Sequence, residues 1–147
     1  MRGRAPSVSR LARARTIPLA THPDPRGVLT VLEGGTDIPF EVRRIFFVYR
    51  VQPPYERGGH AHPDTEQLLV CVSGRMKVDL SDGSSTGTFE LNDPSYGLYV
   101  PEMVWTRLYA FSPDAVCVAA ASTHYANSDV IRDWDEYLRI ATARRLK

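Results

Sequence analysis

Cysteine and lysine are nearly absent from the 147 residues, the first found only at Cys71 and Cys117 and the second only at Lys77 and Lys147. Two cysteines make no disulfide framework. Both lie inside apolar runs, QLLVCVSG and DAVCVAAAS, where a reduced thiol behaves as a small core hydrophobe. Also missing is any apolar run approaching the roughly eighteen residues of a membrane span. The N-terminus carries no apolar core of a secretion signal. A cytoplasmic chain without a membrane partner is expected. A net charge of +1 gives no general pull toward nucleic acid either. Acidic residues are lacking from the opening MRGRAPSVSRLARART, which holds five arginines. That imbalance predicts a flexible basic tail over residues 1–16.

What is present fits one folded domain over residues 17–147, since 43% hydrophobic and 24% charged residues are ordinary for a globular chain of this size. Short β-rich runs recur between turn signals: GVLTVLEG, FEVRRIFFVYRV, EQLLVCVSG, RMKVDLS, GTFEL, YGLYVP, VWTRLYAF and AVCVAAAS. They predict an all-β barrel or sandwich. LSDGSS marks a hairpin, because Asp82-Gly83 supports the left-handed backbone of a tight turn. Helical spacing shows only at the C-terminus. There Val130, Ile131, Trp134, Tyr137, Leu138 and Ala141 fall on one stripe, behind Ser128 and Asp129 as cap candidates.

The chemistry concentrates in RGGHAHPDTEQ, residues 57–67. Residues two apart in a strand share a face, so His60 and His62 can project together into a β-domain interior. Two converging imidazoles suit proton transfer, because histidine titrates near neutral pH. With Glu66 they also have the His-x-His-x3-Glu spacing of the first cupin motif, which usually supplies three metal ligands. The second motif, Pro-x-Gly-x-x-His, is matched by PEMVWT with Met103 at the glycine and Thr106 at the histidine position. A threonine hydroxyl is a poor ligand for a transition metal, so no metal is expected. A site of His60, His62 and Glu66 stands as the alternative.

From about Arg26 to Tyr137 the chain resembles the cupin-type sugar 3,4-ketoisomerases, which act on a dTDP-4-keto-6-deoxy sugar. PRGVL, DIPFEVRRIFFVYRV, ERGGHAHPDTEQLLVCVSG, VDLSDG, YGLYVPEMVW and FSPDAVCVAAAS carry the resemblance, followed by a helix containing DVIRDWDEY. It implies a small jelly-roll-like cupin β-barrel with a C-terminal helix, working as a homodimer without a cofactor. The substrate would be dTDP-4-keto-6-deoxy-D-glucose, and the 3-keto product would pass to an aminotransferase that makes a 3-amino sugar. The resemblance implies His60 as the base, with His62 and Tyr99 as partners in catalysis. Substrate-binding candidates are Arg26, Arg44, Arg57 and Arg107 for the diphosphate, Phe46 and Trp105 for packing, and Glu66 and Thr106 in the pocket.

Four residues depart from the family pattern. Phe46-Phe47 replaces a frequent tyrosine pair, Thr106 a frequent histidine or other large polar side chain, and Gly59 a larger residue. They leave the configuration at C4, galacto or gluco, open. Beside the ketoisomerase, two other functions fit the sequence: the metal-dependent cupin enzyme, and a non-catalytic nucleotide-sugar-binding cupin.

Overall fold

The computed structural model describes residues 9–125 and 130–145. A short helix α1 (Arg10–Arg13) leads into β1 (Arg15–Pro18), β2 (Ala20–Asp24), β3 (Gly27–Val31), β4 (Arg44–Tyr49), β5 (Arg57–Ala61) and β6 (Gln67–Ser73). Then come β7 (Met76–Ser81), β8 (Thr86–Leu91), β9 (Tyr96–Val100), β10 (Trp105–Tyr109), β11 (Val116–Ala121) and helix α2 (Trp134–Arg145). Each apolar run picked out in the sequence forms a strand. The strands without such a run, β1, β2 and β5, stand at sheet edges or in a separate pair, where one flank has no neighbour to bury it.

One sheet has the order β1-β9-β6-β11-β4 and the other β5-β10-β7-β8, while β2 and β3 pair only with each other. Neighbouring strands run antiparallel. From β4 onward the chain passes to the other sheet at every connection except β7 to β8, which makes the domain jelly-roll-like. The sheets face each other without closing into the expected barrel, because each hydrogen-bonds internally and keeps its own edges. Between them lies the main core, including Leu69, Met76, Val78, Leu80, Leu98 and Leu108. The two thiols are free and buried within it on paired positions of β6 and β11. Burial pushes that of Cys117 up to about 12.

The Asp-Gly hairpin joins β7 to β8. Asp82 Oδ1 accepts hydrogen bonds from the backbone N–H groups of Ser84 and Ser85, both at 2.9 Å, and pins Ser81 opposite Thr86. Residues 9–16, within the segment expected as a tail, are built into the domain. Ser9 Oγ accepts from the Ala12 N–H at 3.1 Å, Leu11 packs on the core, and β1 covers the edge of β9.

Helix α2 starts later than its apolar stripe. Its N-cap is Asp133, whose Oδ1 accepts from the Glu136 N–H at 2.8 Å, whereas Ser128 and Asp129 lie outside the described residues. Ile131 precedes the helix and exchanges two backbone hydrogen bonds with Ala61, at 2.9 and 3.0 Å. Tyr137 and Ala141 are buried against Ala61, Met103 and Ile131, so α2 covers the outer face of the four-stranded sheet.

Candidate active site

The histidine strand carries a β-bulge. β10 pairs Thr106 with His60 but Arg107 with Gly58, which leaves Gly59 as the extra residue. In a regular strand Arg57 and His60, three apart, would face opposite sides; the extra residue turns both inward. Glycine is required at Gly58. Its φ is +82° and a Cβ there would stand 2.6 Å from the Thr106 carbonyl oxygen. Ala61 points the other way and is buried under α2, so His60 and His62 share the inner face. Their ring centroids are 4.8 Å apart with the rings nearly perpendicular.

Both imidazoles line a cavity of about 380 Å³ between β4 and β5, the adjacent edge strands of the two sheets. Arg44, Phe46 and Val48 face it from β4, Gln67 and Leu69 from β6, and Thr106 and Leu108 from β10. Tyr125, Val130 and Arg132 close one flank. The Thr106 hydroxyl donates to the Val104 carbonyl at 3.2 Å. The pKa of His62 falls to about 4, first through burial and then through the neighbouring His60, Arg44 and Arg132. Burial lowers that of His60 as well, against a backbone contact at Gly58 and together with the charges of Arg132 and Arg57. Two neutral bases therefore face the cavity near pH 7. The buried Nδ1 of His60 has no hydrogen-bond partner among the described residues.

The arginines sort into two groups. Arg26, with its side chain 90% exposed, is held by Asp24 at 2.7 Å. Arg107 is gripped by Glu56 and Asp79 and lies 4.0 Å above the Tyr109 ring. Both are spent on carboxylates outside the cavity lining. Arg44, Arg57 and Arg132 line the cavity and form no ion pair with any described residue. Arg44 stacks instead between Phe46 and Tyr125, at 5.6 and 5.7 Å, with its buried Nε unpartnered. An unneutralised cluster of guanidinium groups is a ready site for a diphosphate.

Strand alternation carries the remaining candidates away from the imidazoles. On β10 Thr106 faces in, so Trp105 and Arg107 face out, and Trp105 packs on Trp134 and Tyr137 of α2 at 5.1 and 5.4 Å. Tyr99 pairs with Leu68 on the outer face of the five-stranded sheet, among Leu19, Ile38 and Phe40. Its hydroxyl donates a short hydrogen bond to Glu66 Oε1. Glu66 thus turns away from His60 and His62, and among the described residues no three His, Cys, Asp or Glu side chains gather as metal ligands. The set His60, His62 and Glu66 does not fit a metal. Met103, at the motif's glycine position, does adopt the left-handed φ of +61°. Its N–H donates to the His62 carbonyl at 2.7 Å, while the Tyr137 hydroxyl lies 2.9 Å from the carbonyl oxygens of both Met103 and Ser81.

Gln67 and Arg132 are among the lining residues that escape sequence reasoning. Gln67 follows Glu66, and strand parity from Leu69 would have found it, because residues 67 and 69 share a face. Arg132 has no local signal; the Ala61–Ile131 bridge alone brings it to the cavity.

An antiparallel jelly roll holding two inward imidazoles between its sheets defines a small cupin-type domain. The chain belongs to the family described as "FdtA: WxcM-like, C-terminal", which matches residues 12–142. It is 38% identical over 114 residues to a TDP-4-oxo-6-deoxy-alpha-D-glucose-3,4-oxoisomerase of Aneurinibacillus thermoaerophilus, covering 78% of this chain and 82% of that protein. Its fold is similar to that of QdtA, a sugar 3,4-ketoisomerase from Thermoanaerobacterium thermosaccharolyticum solved in complex with TDP. That match has a TM-score of 0.88 and 35% identity, over 91% of this chain and 98% of the other. A 3,4-ketoisomerase from Helicobacter canadensis matches with a TM-score of 0.86 and 35% identity, over 88% and 98%.

Proposed function

We propose that this chain is a sugar 3,4-ketoisomerase that converts dTDP-4-keto-6-deoxy-D-glucose into its 3-keto isomer. The observation that carries the reading is the pair of neutral imidazoles 4.8 Å apart in a cavity lined by arginines without carboxylate partners. The named activities of its relatives support the same reaction.

The C4 carbonyl acidifies the hydrogen on C3. His60 removes that proton to leave an enediol, and the proton is returned at C4. The hydroxyl proton on O3 passes to O4, with His62 as the relay, so the carbonyl ends at C3. The substrate is oxidised at one carbon and reduced at its neighbour, and the exchange needs no redox cofactor. Arg44, Arg57 and Arg132 bind the diphosphate, and Phe46 packs beside the sugar. Tyr99, Glu66, Trp105, Arg107 and Arg26 are left out of the pocket formed within one chain. The product is a ketone fit for an aminotransferase.

The working unit is a homodimer. Ile45, Phe47 and Tyr49 form an exposed apolar row on the outer face of β4, an open sheet edge. Val28 and Leu29 are exposed on the separate β2–β3 hairpin. A second copy covering both would remove an aggregation hazard.

The test is proton NMR of the purified, chelator-treated protein with dTDP-4-keto-6-deoxyglucose in deuterated water. A 3-keto sugar carrying deuterium is the expected result, and its couplings give the C4 configuration. An unchanged sugar with dTDP bound would overturn the reading.

A further inference from the structure

Gln67 is a polar side chain in a cavity wall that it shares with Val48, Leu69 and Leu108. It begins β6, the central strand of the five-stranded sheet, paired with Val100 on one side and Ala121 on the other. Its side chain lines the cavity beside Leu69, only 5% exposed. The carboxamide makes no hydrogen bond to any described residue, whereas the Thr106 hydroxyl is engaged by the Val104 carbonyl. A buried amide with two donors and an acceptor is normally satisfied. One left open toward a cavity is set for a ligand.

We infer that Gln67 grips the two oxygens between which the carbonyl moves, donating from Nε2 to O4 and accepting at Oε1 from the O3 hydroxyl. A carboxamide presents donor and acceptor side by side, as a carbonyl and its neighbouring hydroxyl do. When His60 takes the C3 proton, negative charge grows on O4, and the Nε2–H contact strengthens as it does so. Gln67 neither gains nor loses a proton in the exchange. It holds the enediolate while the imidazoles move protons. The inference rests on the ketoisomerase reading, and it separates work at the sugar ring from work at the diphosphate, which the arginines hold at the same cavity.

The experiment compares the full-length protein with Gln67→Met, a variant of similar length and volume without the amide. Turnover and deuterium uptake are followed by NMR with dTDP-4-keto-6-deoxyglucose, and dTDP affinity by calorimetry. The expected result is kcat and deuterium uptake lowered about 10²-fold, with KM and dTDP affinity little changed. Wild-type turnover in Gln67→Met would overturn the role of Gln67 while leaving the isomerase intact. A wild-type protein that binds dTDP without turnover would overturn both. Gln67→Glu decides the matter should the first variant fail to fold. Its ionised carboxylate cannot donate, so its activity relative to wild type should rise as the pH falls and the carboxyl regains a proton. A constant ratio across pH would overturn the inference.

Discussion

A histidine that takes a proton from carbon works only while its imidazole is neutral. In this cavity burial and nearby guanidinium groups both favour that form. Asparagine at position 60 keeps a polar side chain but removes the imidazole. His60→Asn is expected to stay folded by circular dichroism and to lose about 10²- to 10⁴-fold in kcat. Near-normal turnover would remove His60 from the role of base. The same shifts predict two pH dependences. Because the base is neutral to a lower pH than a free imidazole, the acid limb of kcat/KM should lie below pH 6.5. Between the folded value of about 4 and the unfolded value of 6.5, His62 binds fewer protons in the folded state. Stability should therefore fall as the pH drops through that window. Thermal melts across it should show a slope that His62→Gln flattens; an equal slope in the variant would assign the effect elsewhere.

At the scale of the element, the bulge in β5 decides which side chains reach the cavity. Gly58 and Gly59 both have positive φ, yet a Cβ at Gly58 would strike the Thr106 carbonyl at 2.6 Å while one at Gly59 would meet nothing within 4 Å. Gly58→Ala is expected to cost about 2 kcal/mol or more, from strain and collision together. Gly59→Ala should cost about 1 kcal/mol, from strain alone. Urea unfolding of the two variants measures the difference, and equal losses would show that the close approach to β10 is unimportant. The bulge itself was not legible in sequence, although His60 and His62 were expected to share a strand face. RGGHA has no apolar alternation from which a break in register could be read. The C-terminal helix was legible from its spacing. Its start was not, because Ile131 forms a strand-like bridge to Ala61 before Asp133 caps the helix.

For the whole molecule, the apolar row on β4 carries the strongest consequence. Phe47 is 61% exposed and Ile45 64%, and the hydrophobic effect favours covering them with a symmetric copy of the same face. Phe47→Asp should convert a dimer to a monomer in sedimentation velocity while its circular dichroism stays unchanged. A dimer persisting in Phe47→Asp would place the interface elsewhere. The sequence by itself determined the strand runs, the Asp-Gly hairpin, the all-β class and the shared face of His60 and His62. Each of these follows from local periodicity or turn chemistry. Only the tertiary structure decided which arginines are free. Arg26 and Arg107 look in sequence like Arg44 and Arg57, but their charge is taken up by Asp24 in one case and by Glu56 and Asp79 in the other. It alone turned Tyr99 and Glu66 to the outer face and brought Arg132 beside the imidazoles. Apart from Arg26 and Asp24, which are two residues apart in one turn, these pairings join residues far apart along the chain, and no local pattern encodes which face meets which once two sheets stack.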